Sequence, residues 1–296
     1  MRKQQALCLR HCRVTLAGLR FRRRQAAAGL AGLAAAVLVT GCGSGGAPAA
    51  HAGTPGPSAS AGTAAPVSPG RLSAATLAKL PEATTYAQLH GTPSDPQPST
   101  VTTGLVVHPV TTQAVYAAPG GPPVAALPAT ELGSPTWVPV VQSRAGWDLV
   151  LLPSRPNHAT GWIFVAGQPV RSAETSYVIR VDVAARRVTV LDSGRSIGSW
   201  TAAVGASGTP TPTGRTFLMA SLQPPHPTYS PMILPLGAHS DTLDTFGGGP
   251  GTVALHGWPD PSVFGQAVTH GCVRVPSAAL QVLSQIPLGS LVLVHP

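Results

Sequence analysis

The sequence predicts a mainly β protein, with two units of short strands standing behind a leader and a Pro- and Gly-rich tether. Gly and Pro number 33 and 32 among 296 residues, and only 10% of residues are charged. Long helices need more Glu, Lys, Arg and Leu than that, so strands and turns are expected. Short runs rich in Val, Leu and Trp recur from residue 101 to the end, separated by turn clusters such as Pro119-Gly120-Gly121-Pro122. Such spacing suggests small sheets.

Residues 1–42 read as an export signal. Arg20 and Arg22–Arg24 form a positive region, Gln25–Val39 is apolar, and Val39-Thr40-Gly41-Cys42 ends in small residues before a cysteine. The apolar run is shorter than the ~20 residues of a comfortable bilayer span. The Thr-Gly-Cys ending resembles the lipobox of bacterial lipoproteins, which implies lipidation of Cys42, a membrane anchor, and residence on the outer face of the cell membrane or in the cell wall. Simple secretion is the alternative. Eight of the 19 Lys and Arg residues precede Cys42 and no acid does, so 11 basic and 10 acidic residues remain beyond it. Of the net charge of +9, all but +1 therefore belongs to the leader, and a cation cluster for nucleic acid is not expected.

Residues 43–100 are expected to be a linker. Up to about Pro69 they are almost wholly Gly, Ala, Pro, Ser and Thr, and Pro81, Pro93, Pro96 and Pro98 interrupt the rest apart from a short helix at Ser73–Lys79. Residues 101–172 carry strand candidates at Val101–Pro109, Gln113–Ala117, Trp137–Gln142, Trp147–Leu152 and Gly161–Val165. With Gly146-Trp147 and Thr160-Gly161-Trp162-Ile163 they resemble a bacterial SH3-like domain, which implies a small β-barrel, either a spacer or a binder of wall. In residues 173–296, Tyr177–Asp182, Arg187–Leu191, Trp200–Val204 and Leu291–Val294 read as strands, and Pro276–Ile286 as a helix with Ala279, Leu280, Leu283 and Ile286 on one face.

Of four cysteines, only Cys272 falls in a folded exported region. A lone thiol outside the cytoplasm is either a small buried hydrophobe or a reactive group. Cys272 lies in Thr269-His270-Gly271-Cys272-Val273-Arg274, and Leu255-His256-Gly257 precedes it by sixteen residues. Acyl transfer by a thiol requires the thiolate, so an imidazole to accept its proton is the minimal companion.

These two blocks, with Phe264-Gly265 and the earlier Gly205 and Thr209-Pro210-Thr211-Pro212-Thr213-Gly214-Arg215, resemble the L,D-transpeptidase (YkuD-like) catalytic domain over about residues 176–296. Thr269 stands where that pattern usually has Ser, and Trp258 where Thr is common. The resemblance implies a β-sandwich with a short helix, Cys272 as nucleophile and His256 as base. It implies that His270 orients the base through its carbonyl, and that the Gly271 and Cys272 amides form an oxyanion hole. Gly257 and Thr269 border this site. Arg274 would hold a substrate carboxylate, or else make a structural ion pair. The implied partners are peptidoglycan stem peptides: Cys272 attacks a tetrapeptide stem, releases D-Ala and passes the thioester to a second stem as a 3→3 cross-link. Water as acceptor would make the protein an L,D-carboxypeptidase. Carbapenem-type inhibitors are expected to acylate the same thiol, and no metal or cofactor is implied. Three alternatives stand beside this reading. A papain-like peptidase is disfavoured because its Cys precedes its His, and only His295 follows Cys272 here. A zinc site would have to be built from His256, His270 and Cys272. The third is a catalytically silent wall-binding lipoprotein. His226 and His239 are expected in loops.

Overall fold

The computed structural model describes residues 67–296, so the leader and Cys42 lie outside the described residues. A four-residue helix, α1 (Ala74–Leu77), capped by the Ser73 hydroxyl, is the first element of the described residues. Nine strands follow: β1 (Leu105–Pro109), β2 (Gln113–Tyr116), β3 (Pro123–Leu127), β4 (Thr130–Glu131), β5 (Ser134–Pro135), β6 (Val138–Arg144), β7 (Trp147–Leu151), β8 (Thr160–Phe164) and β9 (Val170–Glu174). Seven of them form one sheet in the order β3-β2-β8-β7-β6-β1-β9, while β4 and β5 pair as a hairpin. The expected SH3-like barrel differs in closure. Among the described residues no ladder joins β3 to β9, so the sheet stays open.

The second unit contains β10 (Tyr177–Asp182), β11 (Arg187–Asp192), β12 (Arg195–Thr201), β13 (Val204–Gly205), β14 (Gly214–Phe217), β15 (Ile233–His239), β16 (Thr252–Gly257), β17 (Ala267–Thr269), β18 (Val273–Val275), α2 (Ser277–Leu283) and β19 (Leu291–His295). A five-stranded sheet, β12-β11-β10-β19-β14, faces a three-stranded sheet, β15-β16-β18. Period-2 alternation supplies the core: Ile179, Val181, Val188, Val190, Val292 and Val294 from one sheet meet Leu234, Leu236, Val253, Leu255, Val273 and Val275 from the other. Ala279, Leu280 and Leu283, the buried stripe of α2, complete it. This is the sandwich with a short helix that the resemblance implied.

The linker expected through Thr100 is corrected by the structure. Ala83 and Leu89 are buried in a core with β-strand residues of the first sheet, and Phe217, Met219 and Leu291 of the second unit join the same cluster. Asp95 forms a two-pronged ion pair with Arg215 of β14, both side chains being almost wholly buried. The third guanidinium arm reaches the Thr100 carbonyl. Prolines break helices, but they do not keep a segment out of a core when it carries apolar residues and an acid with a partner elsewhere. The two units are thus joined by shared packing, and residues 67–296 cluster as one compact unit.

His239, expected in a loop, is the last residue of β15 and fully buried; its Nε2 meets the Thr85 carbonyl at 2.8 Å and the Thr85 hydroxyl at 3.0 Å. Burial drops its pKa to about 4, keeping it neutral. The Thr85 N–H donates to Glu131 at 3.2 Å, and burial pushes that carboxyl up to about 7. His226 is exposed, as a loop residue should be.

Removing one partner of a buried pair leaves an uncompensated charge. Asp95→Ala should therefore destabilise the fold by about 3–5 kcal/mol, the usual cost of breaking a buried ion pair. Urea denaturation checks this, and a loss within error of zero would mean that the 82–100 segment is not part of the folded unit.

Candidate active site

The site is built on one parallel ladder. β16 and β18 pair with Leu255 opposite Val273, His256 opposite Arg274 and Gly257 opposite Val275. Leu255, Val273 and Val275 point into the core. Alternation then sends Ala254, His256, Cys272 and Arg274 to the opposite face. Cys272 sits one residue before β18 and is half-buried, diagonal to His256 across the two strands.

His256 is buried, 6% exposed, and its Nδ1 donates to the Gly257 carbonyl at 2.8 Å. That bond places the proton on Nδ1 and leaves Nε2 as the acceptor, the tautomer a general base requires. The resemblance gave the orienting role to the His270 carbonyl; the structure gives it to Gly257. The residue after the base thus orients it, while its own N–H is held by Ser230 Oγ at 2.8 Å. Burial lowers the His256 pKa to about 4, with the Arg274 charge acting in the same direction. Burial also pushes the Cys272 thiol up, opposed by a backbone hydrogen bond with Ala254 and by the Arg274 charge. Both shifts favour a resting pair of neutral thiol and neutral imidazole.

The turn carrying the nucleophile is pinned by threonines. Thr269 Oγ1 donates to the Cys272 carbonyl and accepts the Gly271 N–H at 3.1 Å. Thr209 Oγ1 donates to the Thr269 carbonyl at 2.8 Å, and Thr211 Oγ1 donates to the Gly271 carbonyl at 2.9 Å. The Thr209–Thr211 segment thus serves as a cradle for the turn, and it folds so tightly over Gly205 that a Cβ there would collide with its backbone. Gly271 has φ +110°, which a β-carbon would disfavour. Its N–H is occupied by Thr269, so of the expected oxyanion pair the Cys272 amide remains.

Arg274 makes no ion pair among the described residues. Its guanidinium lies 3.5 Å from the centroid of the Trp258 ring, and its Nε is buried without a hydrogen-bond partner. The structural ion pair weighed for Arg274 is therefore absent. Tyr229 packs edge-on against His256 at 5.0 Å and tilted against Trp258 at 5.6 Å. Beside this cluster opens a pocket of about 400 Å³ lined by Tyr229, Met232, Gly257, Trp258 and α2 residues including Leu280 and Gln281. His270 is exposed and stacks on Phe246 at 4.7 Å, while the bond to His256 Nδ1 is made by Gly257. Among the described residues no three His, Cys, Asp or Glu side chains gather to hold a metal.

Sequence reasoning missed Tyr229, Ser230, Phe246 and the orienting carbonyl of Gly257. Tyr229 and Ser230 sit in a Pro-rich stretch with no periodicity, so nothing local marks them. Trp258 was visible only as a departure from a pattern; the structure shows it stacking under Arg274.

Residues 176–294 match the family model for the L,D-transpeptidase catalytic domain. No curated protein sequence matches the chain. Among solved structures, an L,D-transpeptidase from Mycobacterium smegmatis aligns at 17% identity and TM-score 0.35, over 54% of this chain and 82% of that one. L,D-transpeptidase 3 from Mycobacterium tuberculosis, in complex with a faropenem-derived adduct, aligns at 14% identity and TM-score 0.35, over 48% and 75%. An L,D-transpeptidase from Xylanimonas cellulosilytica aligns at 22% and 0.31, over 42% and 62%.

A thiol whose pKa is raised and an imidazole whose pKa is lowered form no thiolate–imidazolium pair below neutrality. Alkylation of Cys272 by iodoacetamide should accordingly rise steadily from pH 6 to 9, as the thiolate fraction grows. A rate plateau extending below pH 7 would show a preformed ion pair and overturn this electrostatic account.

Proposed function

We propose that the chain is an L,D-transpeptidase that acts on peptidoglycan tetrapeptide stems through a Cys272 thioester. The single observation carrying the reading is the β16–β18 register, which sets Cys272 and His256 on one face, with Nε2 left as the acceptor nitrogen by the Nδ1 bond to Gly257. In the first half-reaction His256 Nε2 accepts the thiol proton as Sγ attacks the carbonyl of the third stem residue. The Cys272 amide stabilises the oxyanion. The tetrahedral intermediate collapses, the C–N bond to D-Ala breaks, and the proton on His256 passes to the leaving amine. In the second, the side-chain amine of another stem attacks the thioester, gives up a proton to His256, and releases Cys272 with a 3→3 cross-link formed. The neutral resting pair suits this scheme, because the base gains charge only when a substrate lies over it. Arg274, with an unused buried Nε, is the group to hold a stem carboxylate.

Incubation with disaccharide-tetrapeptide, followed by mass spectrometry, tests the reaction. A dimer lacking one D-Ala means transpeptidation, a tripeptide means carboxypeptidation, and unchanged substrate rejects both. A carbapenem should add one ring-opened mass to the peptide containing Cys272. Cys272→Ala should abolish turnover and the adduct, His256→Ala should lower turnover by at least about a thousandfold, and the double variant should add little. Substantial turnover in Cys272→Ala would sink the assignment.

The same proposal locates the protein outside the cytoplasm, tethered by a lipid on Cys42. The Thr-Gly-Cys ending of the apolar leader supports it. The mature amino terminus should carry acyl chains and partition with membranes, and Cys42→Ala should lose both properties. Mass analysis of the amino-terminal peptide checks it; an unmodified wild-type terminus in the culture medium refutes the anchor while leaving the enzyme untouched.

A further inference from the structure

The connection between β7 and β8, residues 152–159, belongs to the first sheet, yet three of its polar side chains, Arg155, Asn157 and His158, bond to the second unit. Arg155 donates to three backbone carbonyls of the segment joining β15 to β16: Ser240 at 3.0 Å and Leu243 at 2.9 Å, and Pro250 at 3.1 Å. Asn157 closes a reciprocal pair with the backbone of His239, accepting from its N–H at 2.8 Å and donating to its carbonyl at 2.7 Å. It also donates to Asp241 at 2.7 Å. His158 Nε2 meets the Thr213 carbonyl at 2.8 Å, in the segment whose Thr209 and Thr211 cradle the nucleophile turn.

At the tip of the 240–251 loop, Phe246 is 51% exposed and stacks on His270, two residues before Cys272. Two neighbours of His270 are already pinned: Thr269 through its carbonyl, and Gly271 through both of its backbone groups. His270 itself is exposed and held through its ring. An apolar ring in water has no reason to stay at one surface position unless its backbone is fixed, and Arg155 bonds to that backbone on both sides of Phe246. A guanidinium suits this task because its planar fork can serve several carbonyls at once.

We propose that Arg155 and Asn157 are positioning residues for acyl transfer: they pin the 240–251 loop so that Phe246 holds His270 and forms one wall of the Cys272 site. The first sheet is then a part of the enzyme, whatever else it binds. The inference rests on the reading of Cys272 as an acyl-transfer nucleophile.

The test uses the full-length protein and its Arg155→Ala, Arg155→Lys, Asn157→Ala and Phe246→Ala variants. Two quantities are read: kcat and KM for D-Ala release from disaccharide-tetrapeptide, and amide hydrogen exchange along the chain. Arg155→Ala should lower kcat by on the order of ten- to a hundredfold, the scale of a small misplacement of reacting groups. KM should change less, and Arg155→Lys should recover part of the loss. Exchange should accelerate over residues 240–251 while β10 and β11 stay protected, which separates loosening of the loop from loss of the fold. Phe246→Ala, at a half-exposed position, should lower kcat in the same way without altering the melting temperature. Wild-type kcat in both Arg155→Ala and Phe246→Ala overturns the proposal. Should the wild-type protein release no D-Ala and take no carbapenem, the acyl-transfer reading fails instead. The exchange measurement still judges the clamp in that event, since unchanged protection of 240–251 in Arg155→Ala overturns it.

Discussion

The parallel ladder between β16 and β18 is the constraint on which the rest of the structure depends. Each strand is short, and each spends its alternate residues on two incompatible tasks. Leu255, Val273 and Val275 fill the sandwich core, and Ala254, His256, Cys272 and Arg274 make the opposite face. A slip of one residue would put the base in the core and a leucine at the surface. The hydrophobic pattern that stabilises the sheet is therefore the same pattern that fixes Cys272 and His256 relative to one another. Neither can be changed alone.

Burial on this face has a second consequence. It raises the thiol and lowers the imidazole, which favours a neutral resting state for both groups. Such a site needs geometry held tightly beforehand, because no resting charge attraction draws the pair together. The hydroxyls of Thr209, Thr211, Thr269 and Ser230 supply that hold, each engaging a backbone group of the nucleophile turn or of the residue after the base. Aromatic rings then flank the two histidines: Tyr229 and Trp258 beside His256, Phe246 against His270.

The segment ahead of the first sheet and the sheet itself are bound into this arrangement rather than strung before it. Thr85 bonds to His239 at the end of β15 and to Thr252 at the start of β16, so the strand carrying the base is tied at its first residue to a segment more than 150 positions earlier. Asp95 neutralises Arg215 inside the structure. These contacts explain why a Pro-rich stretch is ordered: its few apolar and polar side chains each have a specific partner, which offsets the entropy of fixing it.

Local pattern was enough for the mainly β character and for β10, β19 and α2, and it singled out Cys272 and His256, which the structure sets on one face of the β16–β18 ladder. Those depend on periodicity and on motifs whose residues lie within a few positions of each other, and such short-range signals survive in one dimension. What orients His256, what occupies the Gly271 N–H, which ring Arg274 covers, and where residues 82–100 go were decided only by the tertiary structure. Each is a pairing between groups whose separation in sequence carries no information about their separation in space. A hydroxyl or a carbonyl is the same in every sequence context until folding chooses its partner. The partners of Thr85, Asp95, Arg155 and Tyr229 were therefore illegible as letters, and were chosen only by the long-range contacts that closed around them.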